Sequence, residues 1–117
     1  MDKKLNALDK LIEAVDAGEP SEFRKANRAA FTTPCQDMAL QLREEHSRYA
    51  FKGSLDASLA LHEALLPNRY WKLEEWDGAW TAEIPFSALI KHEATDEHSA
   101  ARAWLLAVLK AYRSVQQ

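Results

Sequence analysis

The chain has 117 residues, 47 % of them hydrophobic and 28 % charged, the balance of one folded domain able to bury a core rather than of a disordered tail. Its longest apolar runs, such as 103–109, fall far short of the ~20 residues a membrane helix needs, and the lysine-bearing start MDKKLNALDK lacks the apolar stretch of a secretory signal. A single cysteine, Cys35, excludes an intramolecular disulfide and suits a reducing cytoplasm, while a net charge of −3 argues against a nucleic-acid backbone as the main ligand, which usually meets a basic patch.

The first helix carries Leu5, Leu8, Leu11, Ile12 and Val15 at helical spacing. Gly18 suits its C-terminal cap, and Pro20 forbids continuation. Ser21 is read as the cap of a short second helix with Phe23, Ala26, Ala30 and Phe31 as its apolar positions. Thr33, Pro34, Cys35 and Gln36 have the spacing of a capping box with proline at the first helical position. They open a third helix whose buried side should hold Cys35, Met38, Ala39 and Leu42 and extend to Tyr49. The far end of that helix, 43–48, reads as polar all round.

Gly53 interrupts the chain and Ser54 caps a fourth helix. Leu55, Leu59, His62 and Leu66 make its stripe, widened by Leu61 and Leu65. Asp77 and Gly78 then form the favoured two-residue hairpin turn, because both positions require positive φ. Placing Trp76 opposite Ala79 sets Glu75 against Trp80, Leu73 against Ala82 and Trp71 against Ile84. One face is then apolar (Trp71, Leu73, Trp80, Ala82, Ile84), and Lys72 meets Glu83 on the other. Pro85 closes the second strand, and 87–93 reads as a third with Leu89 and Ile90 as its apolar members. Thr95 is read as the cap of the last helix, with Asp96 and Glu97 suited to its positive end. Ala100, Ala103, Trp104, Ala107, Val108 and Ala111 form that helix's stripe. Leu105, Leu106 and Leu109 widen it enough to demand several neighbours or a second subunit, which leaves room for a homodimer.

The expected fold is α+β: an antiparallel β-hairpin or three-stranded sheet flanked by two helices, with an N-terminal helical extension. The expected division is 1–52 for the three N-terminal helices and 53–117 for the helix–sheet–helix unit. Gly53, Ser54, Leu55, Asp56 and Ala57, Leu59 to Leu61, Leu65 to Pro67, the Trp-rich hairpin and Ala101 to Leu106 together resemble the small phage ABA sandwich domain. The resemblance covers about 49–113. It implies a small sheet between or beside two helices and an origin in a phage, prophage or related mobile element. It supplies no catalytic motif.

The residues that carry chemistry are sparse. His62 and Glu63 begin like a zincin helix, but position 66 is Leu66 where a second histidine is needed; on an apolar stripe, His62 reads as a hydrogen-bonded core residue. His92, Glu93, Asp96, Glu97 and His98 form the densest polar cluster, yet acids at a helix start are ordinarily there for the dipole. Gly18, Gly53 and Gly78 are isolated, so no phosphate loop exists. No cofactor and no metal site is expected, and Cys35 reads as a packing residue.

One surface stands out. Trp76 falls on the outer hairpin face beside the turn, near Tyr70, and the two make an aromatic pair among Glu74, Glu75, Asp77 and Glu83. Between positions 69 and 97 there are seven acids against three bases. Trp and Tyr dominate binding hot spots, unless the N-terminal helices cover that face. The expectation is a non-enzymatic phage or mobile-element accessory protein that binds a host protein in the bacterial cytoplasm, for instance an anti-CRISPR-like inhibitor of a defence complex. Its acidic hairpin would compete for a basic nucleic-acid channel. The alternative is a nucleic-acid-binding regulatory module using Arg24, Lys25, Arg28, Arg43 and Arg48 from the helical half.

Overall fold

A computed structural model describes residues 3–31 and 38–116. Its elements are α1 (Lys3–Ala17), α2 (Pro20–Phe31), α3 (Met38–Phe51), α4 (Leu55–Leu65), β1 (Lys72–Trp76), β2 (Ala79–Pro85), β3 (Lys91–Asp96) and α5 (Ala100–Val115). The strands form an antiparallel meander in the order β1-β2-β3. The class is α+β, with helices flanking a three-stranded sheet.

The last helix is the centre of the molecule. It crosses the inner face of the sheet against β2 and β3, and its other flanks meet α1, α3 and α4. Every side chain from Ala103 to Leu109 is buried. The leucines that widen its stripe, Leu105, Leu106 and Leu109, are thus consumed within the chain, and nothing remains of the surface that suggested a homodimer. Buried residues from α1, α2, α3, α4, the sheet and α5 form one continuous apolar cluster. Alanines at 101, 103, 107 and 111 let neighbouring backbones approach α5 closely, and Ser58 donates to the Ala101 carbonyl at 2.8 Å within the α4–α5 contact. Arg113 clasps the Asp9 carboxylate, Nε to Oδ1 at 2.8 Å and Nη2 to Oδ2 at 3.3 Å, and ties the end of α5 to α1. That bond holds the Asp9 carboxyl below the usual carboxylate range.

The hairpin has the expected register from Lys72 onward: Trp76 faces Ala79, Glu75 faces Trp80, Leu73 faces Ala82 and Lys72 faces Glu83, while Trp71, expected opposite Ile84, precedes the first strand residue. Asp77 and Gly78 have φ of 53° and 84°, the two positive values this turn needs. The cross-strand ion pair is redistributed. Lys72 reaches along its own strand to Glu74 at 2.7 Å, while Glu83 takes Lys91 of β3 at 3.3 Å.

Other local expectations are corrected. The third strand exists but is Lys91–Asp96, and 87–90 is a tight turn. The amides of Phe86 and Ser87 both donate to the Ile90 carbonyl, at 2.8 and 3.1 Å, and the Ser87 hydroxyl accepts from Leu89 and Ile90. Leu89 and Ile90 are therefore exposed on that turn, and β3 faces the core with His92 and Ala94, opposite Ile84 and Ala82. Thr95 lies inside β3. The cap of α5 is Ser99, whose hydroxyl accepts from the Arg102 amide at 3.1 Å. Asp96 shapes the approach by accepting from His98 and Ser99, both at 2.8 Å.

At α2 the chain begins with Pro20 as first helical residue. Glu19, rather than Ser21, satisfies the free amides, accepting from Glu22 at 2.7 Å and Ser21 at 3.2 Å. In α4, Ser54 caps as expected, but the buried face runs through Ala57, Ser58, Leu61, His62 and Leu65, and Leu55 is exposed. The largest correction is α3. Its capping box and Cys35 lie outside the described residues. Met38, Ala39, Leu42 and Tyr49 are exposed, and the buried face is Ser47, Ala50 and Phe51. The ring of Phe51 stacks on Phe23 of α2, centroids 4.0 Å apart and planes 6° off parallel. Asn27 of α2 donates to the Glu44 carbonyl at 3.0 Å. These two contacts set the rotation of α3 and turn inward the stretch that looked polar all round.

Candidate protein-binding surface

Helix α5 packs on one face of the sheet, and among the described residues the side chains of the other face are exposed or half-buried. Alternation along the strands and the two registers place Lys72, Glu74 and Trp76 of β1, Thr81 and Glu83 of β2, and Lys91, Glu93 and Thr95 of β3 on that face. The N-terminal helices do not cover it. Trp76 is 84 % exposed and stands next to the turn. A large aromatic ring left in water has no packing reason to be there, whereas aromatic side chains on the core side have partners: the Trp71 ring packs 4.2 Å from that of Trp104.

Charge on this face is partly compensated. Lys91 lies between Glu83 and Glu93, at 3.3 and 3.6 Å, and Lys72 is held by Glu74. The neighbouring carboxylates raise both lysines above the ordinary value, Glu74 acting chiefly on Lys72 and Glu83 on Lys91. In the middle, the Thr81 and Thr95 hydroxyls meet at 3.0 Å. The acidic excess therefore gathers at the β1–β2 tip, where Glu75 and Asp77 flank Trp76. Glu75 belongs to the other side of β1 by register, yet it is exposed.

Tyr70 is 82 % exposed but does not join Trp76. Six residues of near-extended chain separate them by roughly 20 Å. Tyr70 stands instead at the opposite end of the sheet, beside the β2–β3 turn. There the Arg69 guanidinium covers the Phe86 ring at 4.2 Å, and Leu89 and Ile90 are 95 % and 56 % exposed. The outer surface thus has two tips: an acidic one built on Trp76, and an apolar one built on Tyr70, Leu89 and Ile90. The second was missed because Leu89 and Ile90 read as strand interior. Pro85 followed by Ser87, a proline and a turn-forming hydroxyl two residues apart, is the signal that marks the turn.

The other candidates are dispersed. His62 is buried, accepting at Nδ1 from the Trp104 indole N–H at 3.3 Å, so its Nε2 carries the proton and donates to the Arg69 carbonyl at 2.9 Å. It is a bridge between α4, α5 and the entry to β1. His92 faces inward and packs edge-on against Phe86 at 4.8 Å, while Glu93 points to the outer face. Burial, with the Lys110 charge, pushes the His92 imidazole below its usual range. Asp96 is engaged in the turn before α5. Among the described residues, no three His, Cys, Asp or Glu side chains converge as a metal site would require. Arg24, Lys25 and Arg28 lie exposed together on α2, beside a shallow depression they share with Ala29.

No family model, no curated protein and no solved structure matches this chain. Among the described residues no helix is long and apolar enough to cross a membrane.

Proposed function

We propose that this protein acts by binding another protein through the outer face of its sheet, without catalysing a reaction. One observation carries the reading: a sheet face without cover that presents Trp76, 84 % exposed, at an acidic tip. The partner that fits is a protein with a basic groove wide enough to admit a β-hairpin, such as one that handles nucleic acid. Opposite charge would steer the encounter and the indole would anchor it. With the resemblance to the phage ABA sandwich domain, this becomes an accessory protein of a phage or mobile element that occupies a host defence complex in the bacterial cytoplasm, in the manner of an anti-CRISPR.

The test is capture of partners from host lysate by the tagged chain, with and without nuclease, followed by titration of the partner recovered. Trp76→Ala should weaken binding by about tenfold or more, and reversing Glu74 and Glu75 to lysine should slow association and flatten its salt dependence. Unchanged affinity in both variants would remove this surface from the reading. A second reading rests on the exposed Arg24, Lys25 and Arg28. If recovered partners vanish with nuclease, and binding to DNA or RNA falls steeply with salt, these cations are the interface.

A further inference from the structure

A cavity of about 340 Å³ lies between α2, the end of α3 and the first turn of α5, within the size range of small-molecule sites. Its walls supply four cations, Arg24, Arg48, Lys52 and Arg102, against one acid, Glu44. None of the four cations has an ion-pair partner among the described residues, so their charge is left uncompensated around the cavity apart from Glu44. The apolar part of the wall is the stacked pair Phe23 and Phe51.

The hydrogen-bond inventory singles out the same place. Among the described residues, four buried side-chain polar atoms have no partner: Asn27 Oδ1, Ser47 Oγ, Arg48 Nε and Arg102 Nε. Three of these belong to residues lining this one cavity. Asn27 is only 1 % exposed, and its Nδ2 is already committed to Glu44, at 3.0 Å to the carbonyl and 3.4 Å to Oε1. Its Oδ1 is left as a buried acceptor without a donor. Arg102 is fixed by its bond to the Phe51 carbonyl at 3.1 Å and by the Phe51 ring 4.4 Å beneath it, so its Nε–H cannot readily turn away to water. Buried polar groups are nearly always satisfied, so three unpaired atoms on residues that line one cavity mark it as a place where a ligand reaching them would gain hydrogen bonds.

From this convergence we infer that the cavity binds a small organic anion whose oxyanion accepts from the guanidinium groups of Arg48 and Arg102. The ligand also carries an N–H or O–H donor for Asn27 Oδ1, and its apolar body rests against Phe23 and Phe51. Arg24 and Lys52 add positive charge, and the N-terminal end of α5, which bears Arg102, adds the helix dipole in the same sense. A phosphate ester and a hydroxycarboxylate share the required chemistry. The site is independent of the sheet surface and stands whether or not that surface binds a protein.

The experiment titrates the intact chain with adenosine 5′-monophosphate, citrate and inorganic phosphate, following the arginine Nε–H signals by ¹H–¹⁵N NMR. The expected result is saturable movement of the Arg48 and Arg102 signals with one of the two organic anions, at a Kd of about 1 mM or below, and weaker binding of inorganic phosphate. Which organic anion saturates decides between ester and carboxylate. Arg48→Gln should weaken it by about tenfold, while Lys3→Gln, at an exposed position of α1 outside the cavity, should not. The amide spectrum reports whether Arg48→Gln is folded; if it is not, exposed Arg24→Gln must still weaken binding. Movement that never saturates, that spreads evenly over all arginines, or that survives both cavity variants would overturn the assignment.

Discussion

The hairpin and the third helix obey different rules. In the hairpin, two residues with positive φ, Asp77 and Gly78, choose the turn; the turn chooses the register, and the register sorts apolar from charged side chains. Each decision is made within a few residues of chain. In α3 the nearest neighbours decide little. Its apolar residues Met38, Leu42 and Tyr49 face water, while Ser47 is buried beside Ala50 and Phe51, because the stack on Phe23 and the Asn27 bond to Glu44 determine which side is inward. A stripe is therefore reliable when it holds many apolar residues and weak when one distant aromatic contact can outweigh it.

The strongest test of that contrast is Phe51→Ala. If α3 is oriented from outside, removing the ring that meets Phe23 deletes the contact that positions it, and a buried phenylalanine lost to alanine costs about 3–5 kcal/mol. Chemical denaturation would measure it. A loss below about 1 kcal/mol would mean that α3 is held by something other than the stack, and that its inward face is not set by tertiary contact.

Next in size is Gly78→Ala. At φ 84° an L-residue collides with its own backbone and loses roughly 1–2 kcal/mol. The same denaturation measurement applies, with the signature that the loss comes entirely from backbone, since nothing lies within 4 Å of the added Cβ. Equal stability would show that the turn is dictated by the strands and not the reverse, and would erase the difference between the two regions.

What could be read in advance follows this division. Helix order, the Gly18 stop, the Ser54 cap and the hairpin register from Lys72 to Glu83 depend on contacts close in sequence, and all are found. The third strand was visible but misplaced, because its inward residues, His92 and Ala94, give no apolar alternation, whereas Leu89 and Ile90 do so in a turn. On the outer sheet face, Trp76 and its acids were legible from the register. The Tyr70, Leu89 and Ile90 tip depended on that misplaced turn. The anion cavity was hidden altogether, since Asn27, Arg48 and Arg102 come from three helices and share no sequence pattern.

His92 offers a pH test of β3. Burial is the first cause of its lowered affinity for protons and the charge of Lys110 the second, so the folded chain binds fewer protons at this site than the unfolded chain does. The contribution is absent as a penalty above the ordinary histidine range. It appears as pH falls through about 6.5, where the unfolded imidazole begins to take a proton that the folded one resists. Stability should decline on acidification from about pH 7.5 to pH 5.5, and His92→Gln should flatten that decline. An identical slope in the variant would place His92 in water and take β3 out of its observed register.

The smallest expected effect is the most discriminating for α3. On the stripe read from sequence, Leu42 is a core residue, and exchanging it for glutamine would bury an amide and cost several kcal/mol. In the structure Leu42 is 48 % exposed. Leu42→Gln should then change stability by no more than about 0.5 kcal/mol, as surface substitutions do. Paired with Phe51→Ala in the same helix, it asks whether α3 is rotated by its own apolar residues or by its partners. A large loss at Leu42 with a small one at Phe51 would restore the amphipathic reading and reverse the argument.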